Sequence, residues 1–561
     1  MALFEALYLL INWSSHLTTI PLVQVRQGQK DHMKKTVFAQ SLKRAGLAML
    51  VAGALSAVAG SAMAQTHGGT LNAIVQPEPP ILVLGLNQQS PTQFVASKIY
   101  EGLLTYGADL KPQPGLAKSW TVSPDGLTYT FNLQSGVTWH DGKPFSAADV
   151  VFSADKFLRQ VHPRVRPILN KYLESVTAPN PGTVVFKLKQ PFAPFISLFG
   201  TDNMTIVPAH IYEGTDFAKN PANQHPIGTG PFMFDSWNRG SDIVLVRNPH
   251  YWKPGLPYLD KIVFHVIPDA ASRSVAFERG DVSMLRGGDV DNVDIKRLEA
   301  IPGVDNTTKG TEMYSTITSL VMNERKPPFN NTKVRQAVMY ALNRNFIVKN
   351  IFFGIGKVAT GPISSTTMFY DPNVTKYPYD PKKAQQLIKE SGVDLSKYPV
   401  KILDYPYGSA WDRLAEYTRQ SLEQVGFKVD IEAADAGGWA QRVGNFDFDL
   451  TFHFTDQFGD PAIGVSRLFL TSNIVKGSPF VNNEGYSNPK VDDLFNQASS
   501  ATNPADRQKL YSEVQKILVD DVANGYLFEN QNVTLYKNNV HNLITSAVGT
   551  NSNFDSVWLS K

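Results

Sequence analysis

Ala117-Lys118-Ser119-Trp120-Thr121-Val122-Ser123-Pro124-Asp125-Gly126-Leu127-Thr128-Tyr129-Thr130-Phe131-Asn132-Leu133 sets two short strand-like runs on either side of a Pro-Asp-Gly turn. Alternation of bulky and polar residues around an Asp-Gly pair predicts a β-hairpin. The same character extends outward. From Leu71 to about Lys189 short alternating runs are broken by turn residues, Gly182-Thr183-Val184-Val185-Phe186-Lys187-Leu188 repeats the pattern, and Ile243-Val244-Leu245-Val246 ends at Asn248-Pro249. Beyond Pro328 the pattern changes to helix and strand in turn. Asp380-Pro381 supplies an N-cap and a first-turn proline, Ala384, Leu387 and Ile388 share a face, and Gly392 stops the helix. Leu414, Tyr417, Leu422 and Val425 form a second helical stripe ending at Gly426, followed by the alternating run Phe427 to Ile431. Asn503-Pro504 opens a longer helix through Leu510, Val514, Ile517 and Leu518. Strand-rich text followed by α/β units predicts two or three α/β lobes.

The 561 residues are 42% apolar and 18% charged, with no Cys, so disulfides, Cys-ligated metals, thiol nucleophiles and a lipid on an N-terminal Cys are excluded. The net charge of +3 is misleading. Met33-Lys34-Lys35 with Lys43 and Arg44 forms a basic stretch, Gly46 to Gly60 is apolar and uncharged, and Ala62-Met63-Ala64 has the small-x-small pattern of a signal-peptidase site. The apolar run is shorter than the roughly 20 residues of a membrane span. The reading is a cleaved secretory signal peptide over 33–64, with 1–32 an upstream extension ahead of Met33 as the initiator. Residues 1–64 hold six of the 53 basic side chains and two of the 50 acidic ones, which leaves 47 against 48 in the mature chain. A balanced surface points to no nucleic acid or anionic membrane as partner.

Common catalytic signatures are missing. Tyr407-Gly408-Ser409-Ala410-Trp411 lacks the second glycine of a nucleophile elbow, no His-Glu-x-x-His occurs, and the eleven His are scattered singly. Gly354-Ile355-Gly356-Lys357-Val358 is no phosphate loop, and Gly228-Thr229-Gly230-Pro231 suits a turn better than a dinucleotide fingerprint. Neither a cofactor nor a resident metal is expected.

Several strings together carry a resemblance. Ala117 to Gly126 with Thr128-Tyr129-Thr130-Phe131, Val137-Thr138-Trp139-His140-Asp141-Gly142-Lys143-Pro144-Phe145-Ser146-Ala147-Ala148-Asp149-Val150, Ile227-Gly228-Thr229-Gly230-Pro231-Phe232, Arg247-Asn248-Pro249-His250-Tyr251-Trp252, Pro328-Phe329 with Val334-Arg335-Gln336-Ala337, and Glu484-Gly485-Tyr486-Ser487-Asn488-Pro489 occur in one order over almost the whole mature chain. They resemble the extracytoplasmic solute-binding proteins of family 5, which serve dipeptide, oligopeptide, nickel and opine uptake. The resemblance implies an α/β, two-lobed periplasmic binding protein fold (type II, cluster C) with an extra inserted domain. By analogy domain I spans 65–108, 210–322 and 536–561, the inserted domain II 109–209, and domain III 323–535. It also implies a non-catalytic, monomeric, unlipidated periplasmic receptor that hands a small solute to the membrane permease of an ABC importer. A secreted hydrolase and a chemosensory receptor on the same fold are the alternatives.

In peptide-binding members of this family a carboxylate in an Asp-x-x-Asp/Glu-Pro string holds the ligand's ammonium group, and an Arg about fifty residues earlier holds its carboxylate. Here Asp456-Gln457-Phe458-Gly459-Asp460-Pro461 places Gln457 in the amine-binding position, with Asp456 one residue early, and Asp460 suits a loop cap. Tyr405 stands where the dipeptide binder has its arginine, so an ordinary dipeptide is not favoured and the carboxylate partner is missing from the expected place. Tyr405, Tyr407, Trp411, Trp439 and Phe454 suggest an aromatic pocket suited to a sugar-amino-acid conjugate such as an opine, although packing in the core explains each of them equally well. Gln76, Glu78 and Tyr314 are further candidates at the cleft border. Solitary histidines argue against a protein-only metal site and leave a chelated metal open.

Overall fold

In the computed structural model, which describes residues 65–561, the Pro124-Asp125-Gly126 turn joins strands Ala117–Val122 and Thr128–Leu133 into the expected hairpin. Gly126 takes φ +70°, and Asp125 Oδ1 accepts the backbone N–H of Leu127 at 3.0 Å. Strands Thr183–Leu188 and Leu173–Asn180 extend the hairpin to a four-stranded antiparallel sheet. The upstream extension and the signal peptide read in the sequence lie outside the described residues.

Two larger sheets flank the cleft. The first has seven strands in the order Val304–Thr307, Thr534–Lys537, Met284–Leu285, Thr70–Ile74, Lys261–His265, Asp242–Arg247 and Phe232–Asn238. The second has six, ordered Lys357–Val358, Gly525–Glu529, Ile317–Met322, Leu450–Thr455, Val400–Leu403 and Val429–Glu432. Helix Pro381–Ser391 begins with Asp380 accepting from Lys383 N and ends at Gly392 with φ +70°, and helix Pro504–Asp520 is capped by Asn503, so these boundaries follow from the residues named in the sequence. Among the described residues no helix is long and apolar enough to cross a membrane.

The cores show which parts pack as bodies. Leu71 and Phe94 of the first lobe are continuous with Phe131, Phe186 and Phe199 of the inserted sheet. The second lobe keeps its own core around Val338, Leu414, Phe452 and Val514. Between the lobes run two segments tied to each other: Asn530 N donates to Thr316 O at 2.9 Å, and Thr318 Oγ1 donates to Asn530 Oδ1 at 2.7 Å. Strand Ile317–Met322 pairs with both Leu450–Thr455 and Gly525–Glu529, and strand Thr534–Lys537 pairs within the first sheet. We therefore place the crossings at 308–316 and 530–533, earlier than the boundaries at 322 and 535 drawn from the resemblance. A strand belongs with the sheet that satisfies its backbone, which sequence blocks do not reveal.

The sequence blocks prove to be packing devices. A Cβ at Gly228 would lie 1.9 Å from the carbonyl oxygen of Ile99, so the Gly-Thr-Gly string allows close backbone approach. Thr229, Tyr251 and Trp252, from two separate blocks, all donate to the buried carboxylate of Glu101, at 3.0, 2.7 and 3.0 Å. In the second lobe Glu484 is fully buried, with both carboxylate oxygens lacking a hydrogen-bond partner among the described residues. Burial pushes its carboxyl well above the usual range. Neighbouring Glu324, hydrogen-bonded through its backbone to Glu484 and paired with Arg335 at 3.2 Å, is pushed up to about 8, again mainly by burial.

This pair yields a signed pH prediction. The native state retains protons on these groups above the unfolded glutamate range, so their contribution to stability is lost as pH rises from about 5 toward 8. Each proton released on unfolding is worth about 1.4 kcal/mol per pH unit. Relative to the parent, a Glu484→Gln variant should therefore gain stability as pH rises from 6.5 to 8. Urea denaturation at both pH values checks this, and because the difference is taken between parent and variant, the contributions of the other titrating groups cancel. A gap that is flat or shrinks with pH would show that Glu484 is ionised in the fold.

Candidate functional site

Between the lobes lies a cavity of about 730 Å³, within the range of small-molecule sites. The first lobe contributes Gln93, Arg286, Asp291 and Asn292, and the second contributes Tyr407, Trp411, Arg413, Phe454 and Asp456. Strand Leu450–Thr455 ends at the cavity, which carries Phe454 and Asp456 to its wall, while helix Ser409–Glu423 brings Trp411 and Arg413. Its N-cap Gly408 has φ +100°, which lets the chain turn from Tyr407 into the helix.

The structure separates the aromatic candidates. Tyr407 is half-exposed, and Trp411 and Phe454 line the cavity beside it. Tyr405 is buried beneath them, stacked on Tyr407 with centroids 4.5 Å apart and edge-on to Trp411 and Trp439 at 4.6 and 4.9 Å. Trp439 is also buried, and its indole N–H donates to Thr451 Oγ1 at 2.8 Å. Tyr405 and Trp439 thus support the aromatic face from behind, the core-packing role that the sequence left open for each. Burial also pushes the Tyr405 phenol up, which keeps it neutral.

The polar candidates divide the same way. Asp456 lines the cavity and accepts from Thr316 Oγ1 at 2.5 Å. Burial pushes its carboxyl up, while Thr316 and the cations of Arg467 and Arg164 act against that shift. Gln457, expected in the amine-binding position, is buried and its amide is occupied: Oε1 accepts from Ser364 N at 3.1 Å and Nε2 donates to Pro362 O at 2.8 Å. Asp460 caps the following turn at Ala462 N (2.9 Å) and pairs with Arg507, away from the cavity. Glu78 accepts from Trp237 Nε1 at 2.8 Å and from Gly240 N at 3.1 Å, so it pins a loop of the first lobe. Gln76 donates to Gly288 O at 3.0 Å, holding a segment of the cavity wall. Tyr314 lines the cavity, and its hydroxyl donates to Gln93 Oε1 at 3.3 Å and accepts from Asn551 Nδ2 at 2.9 Å.

Arg286 went unnoticed in the sequence. It follows strand Met284–Leu285, its guanidinium lies 3.9 Å above the ring of Phe94, and its Nε has no hydrogen-bond partner among the described residues. Its contact with Asp289 is long, at 3.9 Å. A buried guanidinium over an aromatic face, with its nearest carboxylate 3.9 Å away, is suited to a carboxylate. Nothing in Ser283-Met284-Leu285-Arg286-Gly287 separates this arginine from a surface one, because its placement depends on the parallel pairing of Ala73 with Met284.

Two lobes with separate cores, tied by two crossings around a cavity that takes side chains from both, define a two-lobed solute receptor. The chain belongs to the bacterial extracellular solute-binding proteins of family 5: residues 111–476 match the family described as "Bacterial extracellular solute-binding proteins, family 5 Middle". It is a periplasmic substrate-binding protein of an ABC importer, in a family that binds solutes without transforming them. The glutathione-binding protein GsiB of Escherichia coli K12 is 31% identical over 433 residues, covering 76% of this chain and 82% of that relative. Among solved structures, the substrate-binding protein CtaP of Listeria monocytogenes superposes with a TM-score of 0.79 at 25% identity, covering 88% of this chain and all of that one. DppA of Helicobacter pylori, in complex with the peptide STSA, gives 0.74 at 27% identity, covering 88% and 99% of the two chains.

Proposed function

We propose that the cleft captures a zwitterionic, peptide-like solute, with its carboxylate on Arg286 of the first lobe and its ammonium group on Asp456 of the second. The observation that carries this reading is that one buried arginine, its nearest carboxylate 3.9 Å away, and one half-buried carboxylate line the same cavity from opposite lobes. Arg286 takes the place of the cation absent at Tyr405. A ligand that joins the two charges contacts both lobes only in the closed form, so binding shifts the population toward closure. The GsiB relative supports a peptide-like solute with free termini. Tyr407, Trp411 and Phe454 add an apolar face for the body of the ligand, which also suits a sugar-amino-acid conjugate. The loaded receptor delivers its solute to the permease without chemical change.

Calorimetric titration of the purified protein with glutathione, a free tetrapeptide, its N-acetyl and C-amide forms, agropinic acid and a neutral disaccharide tests the proposal. The expected result is binding of at least one free zwitterion, with each blocking group costing about tenfold or more. A ligand present at about a thousand times its Kd should also stabilise the protein by about 4 kcal/mol. Equal affinity for free and blocked forms, or binding of the disaccharide alone, would overturn the assignment of both charges.

A further inference from the structure

The two rims of the cleft carry exposed groups that neither lobe uses for its own structure. On the first lobe the rim is the segment 286–293. Asp289 Oδ2 accepts the backbone N–H of Arg286 at 2.6 Å, Gly288 turns with φ +90°, and its carbonyl accepts from Gln76 Nε2 at 3.0 Å, so the segment is held in one shape. It leads to Asp291, the N-cap residue of helix Asn292–Glu299. Aspartate is among the preferred caps, yet this side chain makes no cap hydrogen bond. Asp291 is exposed and lines the cavity together with Val293, which is more than half exposed.

The second lobe presents the start of helix Ser409–Glu423. Arg413 is exposed and lines the cavity there, its guanidinium donating to Ser409 Oγ at 3.2 Å and lying 5.8 Å from the ring of Phe353. It has no carboxylate partner among the described residues. The neighbouring acid, Asp412, is engaged with Asp404: burial and a hydrogen bond shared with Asp412 push the Asp404 carboxyl up to about 6. Beside Arg413 on this rim stands the half-exposed ring of Tyr407. Lys309 also lines the cavity, but it belongs to the crossing 308–316 that tethers the lobes.

Each rim therefore offers one unpaired charge and one exposed apolar side chain, and the charges are opposite. Held apart in water, two such charges gain little from each other. Brought together as water leaves the gap, they attract and fix the register of the two surfaces.

We propose that Asp291 and Arg413 form an ion pair between the lobes that latches the cleft, with Val293 and Tyr407 meeting beside it. The latch rests on the reading that the lobes approach one another around a solute, and not on which solute that is. Because the chain has no native Cys, one introduced pair of cysteines reports the approach without background. Asn292→Cys and Ser409→Cys, one on each rim beside the charged residues, can join only where their Cα atoms come within about 7 Å. With a copper oxidant, low salt and no solute added, this pair should form an intramolecular disulfide, read as a mobility shift on non-reducing gels. Adding Arg413→Asp should slow the reaction about threefold or more, because two acids then face each other. Adding Asp291→Arg to that variant should restore the rate, and in about 1 M NaCl the three proteins should react alike. Absence of the disulfide, a rate indifferent to Arg413→Asp, a charge swap that fails to restore it, or a difference that survives high salt would each overturn the latch. Since no solute is present, a failed latch and a failed assignment of Arg286 and Asp456 are read separately.

Discussion

An Arg286→Met variant should bind a free peptide about 30-fold or more weakly than the parent and bind the C-amidated peptide with unchanged affinity. Removing one partner of a buried, hydrogen-bonded charge pair costs about 2–5 kcal/mol, much of it from leaving the other charge unpaired. Each 1.4 kcal/mol is about a factor of ten, so the expected loss is about 30-fold to several thousandfold. Methionine keeps an apolar side chain over Phe94, where the guanidinium now lies at 3.9 Å, so the wall of the cavity should survive. Asp456→Asn is the matching test on the other lobe. Asparagine can still accept from Thr316 Oγ1 but carries no charge for an ammonium group. Its loss should be confined to ligands with a free amine. Because the two residues sit on different lobes, each variant also weakens closure, and the double variant should lose less than the sum of the two. If the amidated peptide suffers as much as the free one in Arg286→Met, the arginine shapes the wall and does not hold the carboxylate.

The second large effect concerns stability. Arg507 Nη2 lies 2.9 Å from Asp460 Oδ1, and both side chains are almost fully buried. Arg507 Nε also donates to Ala498 O at 2.8 Å, while Asp460 caps the turn at Ala462 N. Breaking a buried pair from one side leaves an uncompensated charge, which costs about 3–5 kcal/mol. Arg507→Met should lower stability by that amount, read as a fall in the urea midpoint of the second lobe. Adding Asp460→Asn should recover part of the loss, because asparagine keeps an acceptor for the cap and removes the stranded charge. If the single variant costs under about 1 kcal/mol, water reaches Asp460 and the pair behaves as a surface one.

The sequence by itself determined the hairpin at Pro124-Asp125-Gly126, the helix ends at Asp380, Gly392 and Asn503, and the family blocks. Each is a local signal, in which a turn needs positive φ or a first helical turn needs an acceptor, and both the residue and its partner lie within a few positions. For the same reason Asp460 was legible as a cap. Tyr407, Trp411, Phe454, Asp456 and Tyr314 were legible as candidates because they lie where strands and crossings of this fold meet a cleft. Only the tertiary structure decided which aromatics face the cavity and which support it. Tyr405 and Tyr407 are two residues apart and stack on one another, yet one is buried and the other half-exposed. Gln457 had the expected register, but its amide is taken up by Ser364 and Pro362, nearly a hundred residues earlier. Arg286 was invisible for the converse reason. A cation becomes a site when its surroundings are dry and its hydrogen bonds incomplete, and both conditions are set by chain segments that meet only in the folded protein.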